Sequence, residues 1–182
     1  MEGVSIRPLR GDELDAYFAY LGDQLSDNGS ATMPMFMPMP RSESKLSPER
    51  EAAFRTALTR RYPEQGWRQA WVAIAADGRI AGHVDLRANA DKYAAHRCSL
   101  GMGTHRDFRF QGLGARLVAV AEAWARDDTT LAWIDLDVLS SNTPGLALYR
   151  RCGYTLVGEF ADMFHLDGAA YGYTLMTKPI AR

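Results

Sequence analysis

The sequence predicts an α/β fold, a single mixed sheet with helices packed on both of its faces. Two strand-like runs, 67–75 and 79–86, meet at Asp77-Gly78, a residue pair that favours a tight antiparallel hairpin. The C-terminal half then alternates strand, helix, strand, helix, strand, and a crossover helix generally joins parallel strands. No internal repeat and no linker-like stretch interrupts the 182 residues, so one domain spanning 1–182 is expected, long enough to bury a sizeable core.

Each element follows from its local pattern. Residues 4–9 alternate apolar and polar as a short strand does, with Pro8 marking an edge or an end. Asp12, after Gly11, is placed to cap a helix whose Leu14, Tyr17, Phe18 and Leu21 form an apolar stripe. Residues 26–47 are irregular. Within them Pro34, Pro38 and Pro40 exclude both a helix interior and a central strand. Ser47 is the expected N-cap of a second helix, with Pro48 at its first position. After the hairpin, a third strand-like run over 96–104 leads into a glycine-containing turn. Leu113, Leu117, Val120, Ala121 and Trp124 then recur at helical spacing across 112–127. A strand over 131–139, a short helix over 143–152 ending at Gly153, and strands over 154–164 and 171–177 complete the chain. The last two are expected to pair across Asp167-Gly168.

Composition narrows the function classes. Hydrophobic residues make up 47% and charged residues 24%, the balance of an ordinary soluble protein. A net charge of -1 supplies no broad field for nucleic acid or anionic membranes, so neither is an expected partner. The charged segment 1–7 does not read as a signal peptide, and no run approaches the ~20 apolar residues of a membrane span. A cytoplasmic location is expected. Cys98 and Cys152 lack metal-ligand or framework spacing and read as two buried thiols in a reducing compartment, with no metal.

The chemistry concentrates in Arg109-Phe110-Gln111-Gly112-Leu113-Gly114-Ala115. A helix start leaves backbone N–H groups unpartnered and carries partial positive charge, and Gly112 and Gly114 remove side chains that would keep an anion away. A diphosphate suits such a site, and Arg109 either adds a charge-assisted contact or faces solvent. Taken alone, the same glycines are also those of a tight strand-to-helix turn. The P-loop requires Gly-Lys-Ser/Thr where Gly114 is followed by Ala115 and Arg116, and the dinucleotide fingerprint requires a glycine where Leu117 stands.

Arg109-x-x-Gly112-x-Gly114 resembles the Arg/Gln-x-x-Gly-x-Gly/Ala signature of the GNAT N-acetyltransferase superfamily. Residues 100–114 look like that family's fourth strand and phosphate loop, and 136–154 like its fifth strand and fourth helix. The resemblance implies the acyl-CoA N-acyltransferase fold, a mostly antiparallel sheet splayed between strands 4 and 5, and acetyl-CoA as co-substrate. It implies that backbone groups of Met102, Gly103 and Thr104 pair with the pantetheine arm. It likewise implies that the backbone of Arg109, Phe110, Gln111, Gly112, Leu113, Gly114 and Ala115 cradles the pyrophosphate. Phe110 departs from the commoner small or basic residue there. Asn142 matches an asparagine that contacts pantetheine, and its position equally suits an N-cap. Tyr149, in a segment similar to the family's Leu-Tyr-x-x-x-Gly-Phe/Tyr ending, is the implied acid. An unperturbed phenol, with a pKa of about 10, is protonated at neutral pH and can donate to a departing thiolate. Tyr154 reads as core.

The acceptor is expected to be a primary amine of a small molecule, with a protein N-terminus or lysine as the alternative and an acyl-CoA-binding sensor as a further one. The resemblance allows a homodimer. Asp135 and Asp137 share one face of their strand, and Asp85 lies on the hairpin near His83. Each is a candidate base or an ion-pair partner of an arginine such as Arg87 or Arg97. His105 and His165 are weaker candidates, and no base is assigned. The methionine-rich segment 32–40 falls where the family walls its acceptor site. It reads either as a pliable lid or as a loop whose methionines cover core or meet another subunit.

Overall fold

In the computed structural model, which describes residues 3–181, the strands are Ser5–Pro8 (β1), Arg68–Ile74 (β2), Ile80–Ala88 (β3), Arg97–Thr104 (β4), Trp133–Leu139 (β5), Thr155–Leu166 (β6) and Ala169–Pro179 (β7). They form one seven-stranded sheet in the order β1-β2-β3-β4-β5-β7-β6. Only β4 and β5 run parallel; every other neighbouring pair is antiparallel. The parallel pair exists because helix Leu113–Asp127 (α3) returns the chain across the sheet between those strands, as a crossover must. Met1 and Glu2 of the charged N-terminal stretch lie outside the described residues.

Two helix pairs cover opposite faces. Helices Leu14–Ser26 (α1) and Pro48–Thr59 (α2) bring Tyr17, Phe18, Tyr20 and Phe54 onto Ala70 and Val72 of β2. On the other face, α3 and Thr143–Arg151 (α4) bury Leu113, Leu117, Val118, Ala121, Leu146 and Tyr149 against Val84, Leu86, Leu100, Ile134 and Leu136. The spacing of these α3 residues gives the helix one continuous apolar stripe. Burial of that stripe is the main stabilising term at this interface, at about 25 cal/mol per Å² of apolar surface removed from water.

Several boundaries differ from the sequence-based expectation. Asp12 does not cap α1; it lies in a 3-10 turn, Gly11–Glu13, in which the Glu13 carboxylate accepts from the Arg10 backbone N–H at 3.3 Å, and α1 itself has no side-chain cap. Ser47 does cap α2, accepting from the Arg50 N–H at 3.3 Å. β6 and β7 both extend to the Asp167-Gly168 turn, with the register shifting between Phe160 and Phe164, where Asp162 takes a φ of 53°. Cys98 is fully buried, and burial pushes its thiol up to about 12. Cys152 is only half-buried, and both cysteines are free. Among the described residues no helix is long and apolar enough to cross a membrane.

The methionine-rich segment is an ordered wall, and two of its methionines point inward. Met35 packs with Leu139 and Leu166, and Met39 is likewise buried. One fully buried residue holds the segment in place. Asn28 accepts from the backbone N–H groups of Phe36 and Met37 at 2.8 and 2.9 Å, and donates to Met37 O, Met39 O and Ser44 Oγ at 3.1, 3.4 and 2.9 Å. The far end is tied to the β6–β7 turn by a 2.9 Å bond from Arg41 N to Asp167 Oδ2.

Candidate active site

β4 and β5 pair only at Arg97–Trp133, Cys98–Ile134 and Ser99–Asp135, then part. Beyond Ser99 the middle of the sheet therefore contains a gap with an unpaired strand edge on each side. The His105 N–H bonds Ala81 O at 2.9 Å, which fixes which residues face it. By antiparallel alternation, Gly101 and Gly103 turn their N–H and C=O groups to β3, whereas Leu100, Met102 and Thr104 turn theirs into the gap. From β5, whose next residue Ser140 donates to Gly172 O on the far side, Asp137 faces its polar backbone to the same gap. Two such edges can pair with an extended, amide-bearing ligand.

At the end of β4 the chain turns through Arg106–Phe108 into α3. Gly112 is the N-cap residue, with φ 82° and ψ -1°, a left-handed conformation that glycine adopts without a Cβ penalty. It provides no capping side chain, in contrast to Ser47 on α2 and Asn142 on α4. The first bond of α3 is Arg116 N to Gly112 O, and among the described residues none of the backbone N–H groups from Phe110 to Ala115 has a hydrogen-bond partner. Unpartnered donors at a helix start, combined with the helix dipole, make an anion site. The side chains around the turn face elsewhere. Phe110 is 87% exposed at φ 60°, and Gln111 donates back to Asp107 O at 3.0 Å. The Arg109 guanidinium is turned to α1 and β4, donating to Asp27 Oδ2 and to Thr104 O, both at 3.0 Å. Arg106 donates to the same Asp27 carboxylate, so this acid clamps the turn to the end of α1.

The gap is bordered by α4 on one face. Asn142 caps that helix, its Oδ1 accepting from Gly145 N at 3.1 Å. Tyr149 lies on the inner face beside Leu146, with its ring edge-on to Tyr154 at 5.8 Å. Burial pushes the Tyr149 phenol well above its ordinary value, and Arg87 and Asp85 are near enough for their charges to act on it. The group is thus a protonated donor at any physiological pH. Tyr154 is core, as its pattern predicts.

The other face carries the polar groups of β3. Gly101 and Gly103 leave room for those side chains to lean over β4. A Cβ at 101 would lie 2.9 Å from both Arg87 Nη1 and Asp85 Oδ2, and one at 103 would lie 2.7 Å from His83 Cε1. The Tyr20 hydroxyl stands 3.1 Å from His83 Nδ1 and 3.4 Å from Gly103 O. Gln24 is buried beside them, and its Nε2 has no partner among the described residues. Asp85 pairs with Arg68 and Arg87, and Asp135 with Arg97. His105 sits between Asp23 and Asp107, and His165 is an exposed partner of Asp162.

Enclosure by protein lowers His83 from 6.5 to about 4, with Asp85 opposing and Arg68 assisting. The folded-state value lies below the unfolded one, so the unfolded chain binds the proton first as pH falls. The contribution is complete above 6.5 and is lost as pH falls toward about 4. Replacing His83 with Gln is expected to flatten the dependence of Tm on pH across that window, removing up to ~3 kcal/mol of pH-linked stability. An unchanged slope in thermal melts from pH 7 to 4 counts against this assignment.

Sequence reasoning brought Met102, Gly103, Thr104, the 109–115 turn, Asn142 and Tyr149 to one neighbourhood, and the fold places them there. The expected pairing of Met102, Gly103 and Thr104 with an extended arm is corrected at Gly103, whose N–H and C=O are turned to β3, while Met102 and Thr104 turn theirs into the gap. Sequence reasoning missed Asp27 and Tyr20, whose partners Arg109 and His83 lie far away along the chain, and the buried Gln24 and Asn28. Residues 36–154 match the acetyltransferase (GNAT) family. Comparison with curated proteins gives no match. Among solved structures, the chain resembles a GNAT-family acetyltransferase from Streptococcus pneumoniae, with a TM-score of 0.79 and 21% identity, over 98% of this chain and 99% of that one. It also resembles a phosphinothricin acetyltransferase from Sinorhizobium meliloti in complex with AcCoA, with a TM-score of 0.77, 17% identity and 98% and 89% coverage. A third is spermidine N-acetyltransferase from Vibrio cholerae in complex with CoA and spermine, with a TM-score of 0.72, 15% identity and 99% and 97% coverage.

Proposed function

We propose that this chain, which belongs to the acetyltransferase (GNAT) family, moves the acetyl group of acetyl-CoA to a primary amine of a small molecule by direct attack in a ternary complex. The observation that carries the reading is the run of six unpartnered backbone N–H groups from Phe110 to Ala115, beside a gap edged by unpaired strands. The first suits a pyrophosphate and the second an extended arm containing amides. Met102 and Thr104 supply the edge on β4. The Thr104 carbonyl is engaged by Arg109, and the N–H of Met102, midway along the free edge, polarises the thioester carbonyl. Gly103 contributes space on the acceptor face and keeps its main-chain bonds with β3. Asn142 closes the end of the gap as the cap of α4.

Tyr149 donates the proton that the departing thiolate needs. Replacing it with Phe removes that donor and keeps the ring packed on Tyr154. The expected result is a fall in kcat of about 100-fold or more, with acetyl-CoA affinity unchanged. Unaltered kcat removes the acid role. The test of the whole reading is a panel of amines assayed for acetyl-CoA-dependent thiol release, with products identified by mass. Tight acetyl-CoA binding without thiol release for any amine would instead leave a coenzyme-binding protein, and absence of binding would reject the site itself.

A further inference from the structure

Three carboxylates stand on the α1/α2 face around the gap: Asp85 on β3, and Asp135 and Asp137 on β5. Two of them are occupied. Asp85 is buried and accepts from Arg68 Nε at 2.8 Å, with Arg87 at 3.5 Å. Asp135 accepts from Arg97 Nη2 and from Thr177 Oγ1, both at 2.5 Å. Asp137 differs from both, because it has no hydrogen bond and no ion pair to its side chain among the described residues. It is also the first β5 side chain on this face beyond the last β4–β5 pair, Ser99–Asp135, so it stands where the strands part.

The surroundings of Asp137 do not hold it for a structural purpose. The charged and titratable groups that face it are Arg87 from β3, Asp135 from its own strand and Tyr173 from β7. Arg87 shares Asp85 with Arg68, and it lies outside ion-pair range of Asp137. Partial desolvation raises the Asp137 carboxyl from its ordinary value, with Arg87 opposing the effect and Asp135 adding to it. A carboxylate open to solvent, raised and unpaired, is free to accept a proton. Tyr149 lies on the opposite, α3/α4 face of the sheet, within the buried cluster that contains Leu100, Leu136 and Leu146.

We infer that Asp137 receives the acceptor nitrogen and takes its proton, on the face of the sheet opposite Tyr149. This rests on the acetyl-transfer reading above. The amine nitrogen forms the bond to the thioester carbonyl carbon while one N–H proton passes to the Asp137 carboxylate. The carbon–sulfur bond breaks, and the sulfur takes the Tyr149 proton. Asp137 then loses its proton to solvent, and Tyr149 regains one from solvent, so no other reactant is required. An acceptor arriving as ammonium sheds one further proton to water before attack.

The test compares wild type, Asp137→Asn and Asp137→Glu with one amine that the wild type acetylates. Asp137→Asn is expected to lower kcat by about 100-fold or more, and Asp137→Glu to restore part of it. The KM for acetyl-CoA and the Tm should stay at their wild-type values, since no contact is lost. The fall in kcat/KM at acid pH should disappear in Asp137→Asn. By contrast, Asp135→Asn should lower Tm, because it breaks the pairing with Arg97 and Thr177. A kcat within threefold of wild type in Asp137→Asn, or an effect confined to the KM of the amine, overturns the inference while leaving acetyl transfer intact. A wild type that releases no thiol with any amine overturns both.

Discussion

Gly112→Asp is expected to remove measurable acetyl-CoA binding and leave the chain folded. The position has φ 82°, and a Cβ built there meets nothing within 4 Å. Asp is among the few residues that visit this conformation, at a cost of roughly 1–2 kcal/mol. Its carboxylate would stand beside the orphan donors at the head of α3, in competition with the pyrophosphate proposed there. Repulsion adds to that competition. Two unit charges 4 Å apart at an effective dielectric near 20 interact with about 4 kcal/mol, equivalent to roughly 1,000-fold in affinity. Titration calorimetry with acetyl-CoA, alongside a thermal melt, measures both halves. Wild-type affinity in the folded variant would falsify the placement of the pyrophosphate on these N–H groups. Gly114 is a poorer probe. A Cβ there would lie 2.8 Å from Leu148 Cδ2 and 3.3 Å from Met102 Cε, so substitution disturbs the packing of α3 on α4 as well as the binding.

Asn28→Ala is expected to cost more stability than Asp135→Asn or Tyr149→Phe. The side chain is fully buried and satisfies two backbone N–H groups, two backbone carbonyls and the Ser44 hydroxyl. Each buried group left unsatisfied costs about 1–3 kcal/mol, although water entering from the loop surface relieves part of this. A net loss of ~3–4 kcal/mol corresponds to a fall in Tm of roughly 10 °C for a chain of this size. Calorimetry checks the value. A fall of under 2 °C would mean that the prolines, rather than Asn28, hold the segment. Asn28→Asp keeps the acceptor and loses the donor, and so should fall between the two.

The parts of this fold legible in the sequence are those fixed by neighbouring residues. Asp77-Gly78 sets its hairpin, Ser47-Pro48 starts α2, and the apolar spacing from Leu113 onward defines α3. The Gly112 turn was legible for the same reason, since glycine and a helix start are adjacent in the chain. Asp12 misled because the chain enters α1 through a 3-10 turn, which Glu13 closes by reaching back to Arg10, and α1 receives no side-chain cap. The methionine segment allowed two readings because what decides between them is Asn28, whose side chain reaches forward as far as Ser44. Arg109 was legible as a motif residue, yet its partner Asp27 stands 82 positions earlier. Asp135 and Asp137 are equivalent by alternation alone. Only the distant Arg97 and Thr177 make one of them a structural anchor and leave the other unpaired.

The parting of β4 from β5 makes the sheet a septum with a single slit. The phenol lies on one bank and the free carboxylate on the other, and only the reacting atoms need to meet in between. An acceptor approaching from the α1/α2 side therefore shares no doorway with a coenzyme held at the head of α3. On the acetyl-transfer reading proposed above, the two would arrive in either order, and whatever the amine carries behind its nitrogen would remain on its own side of the partition.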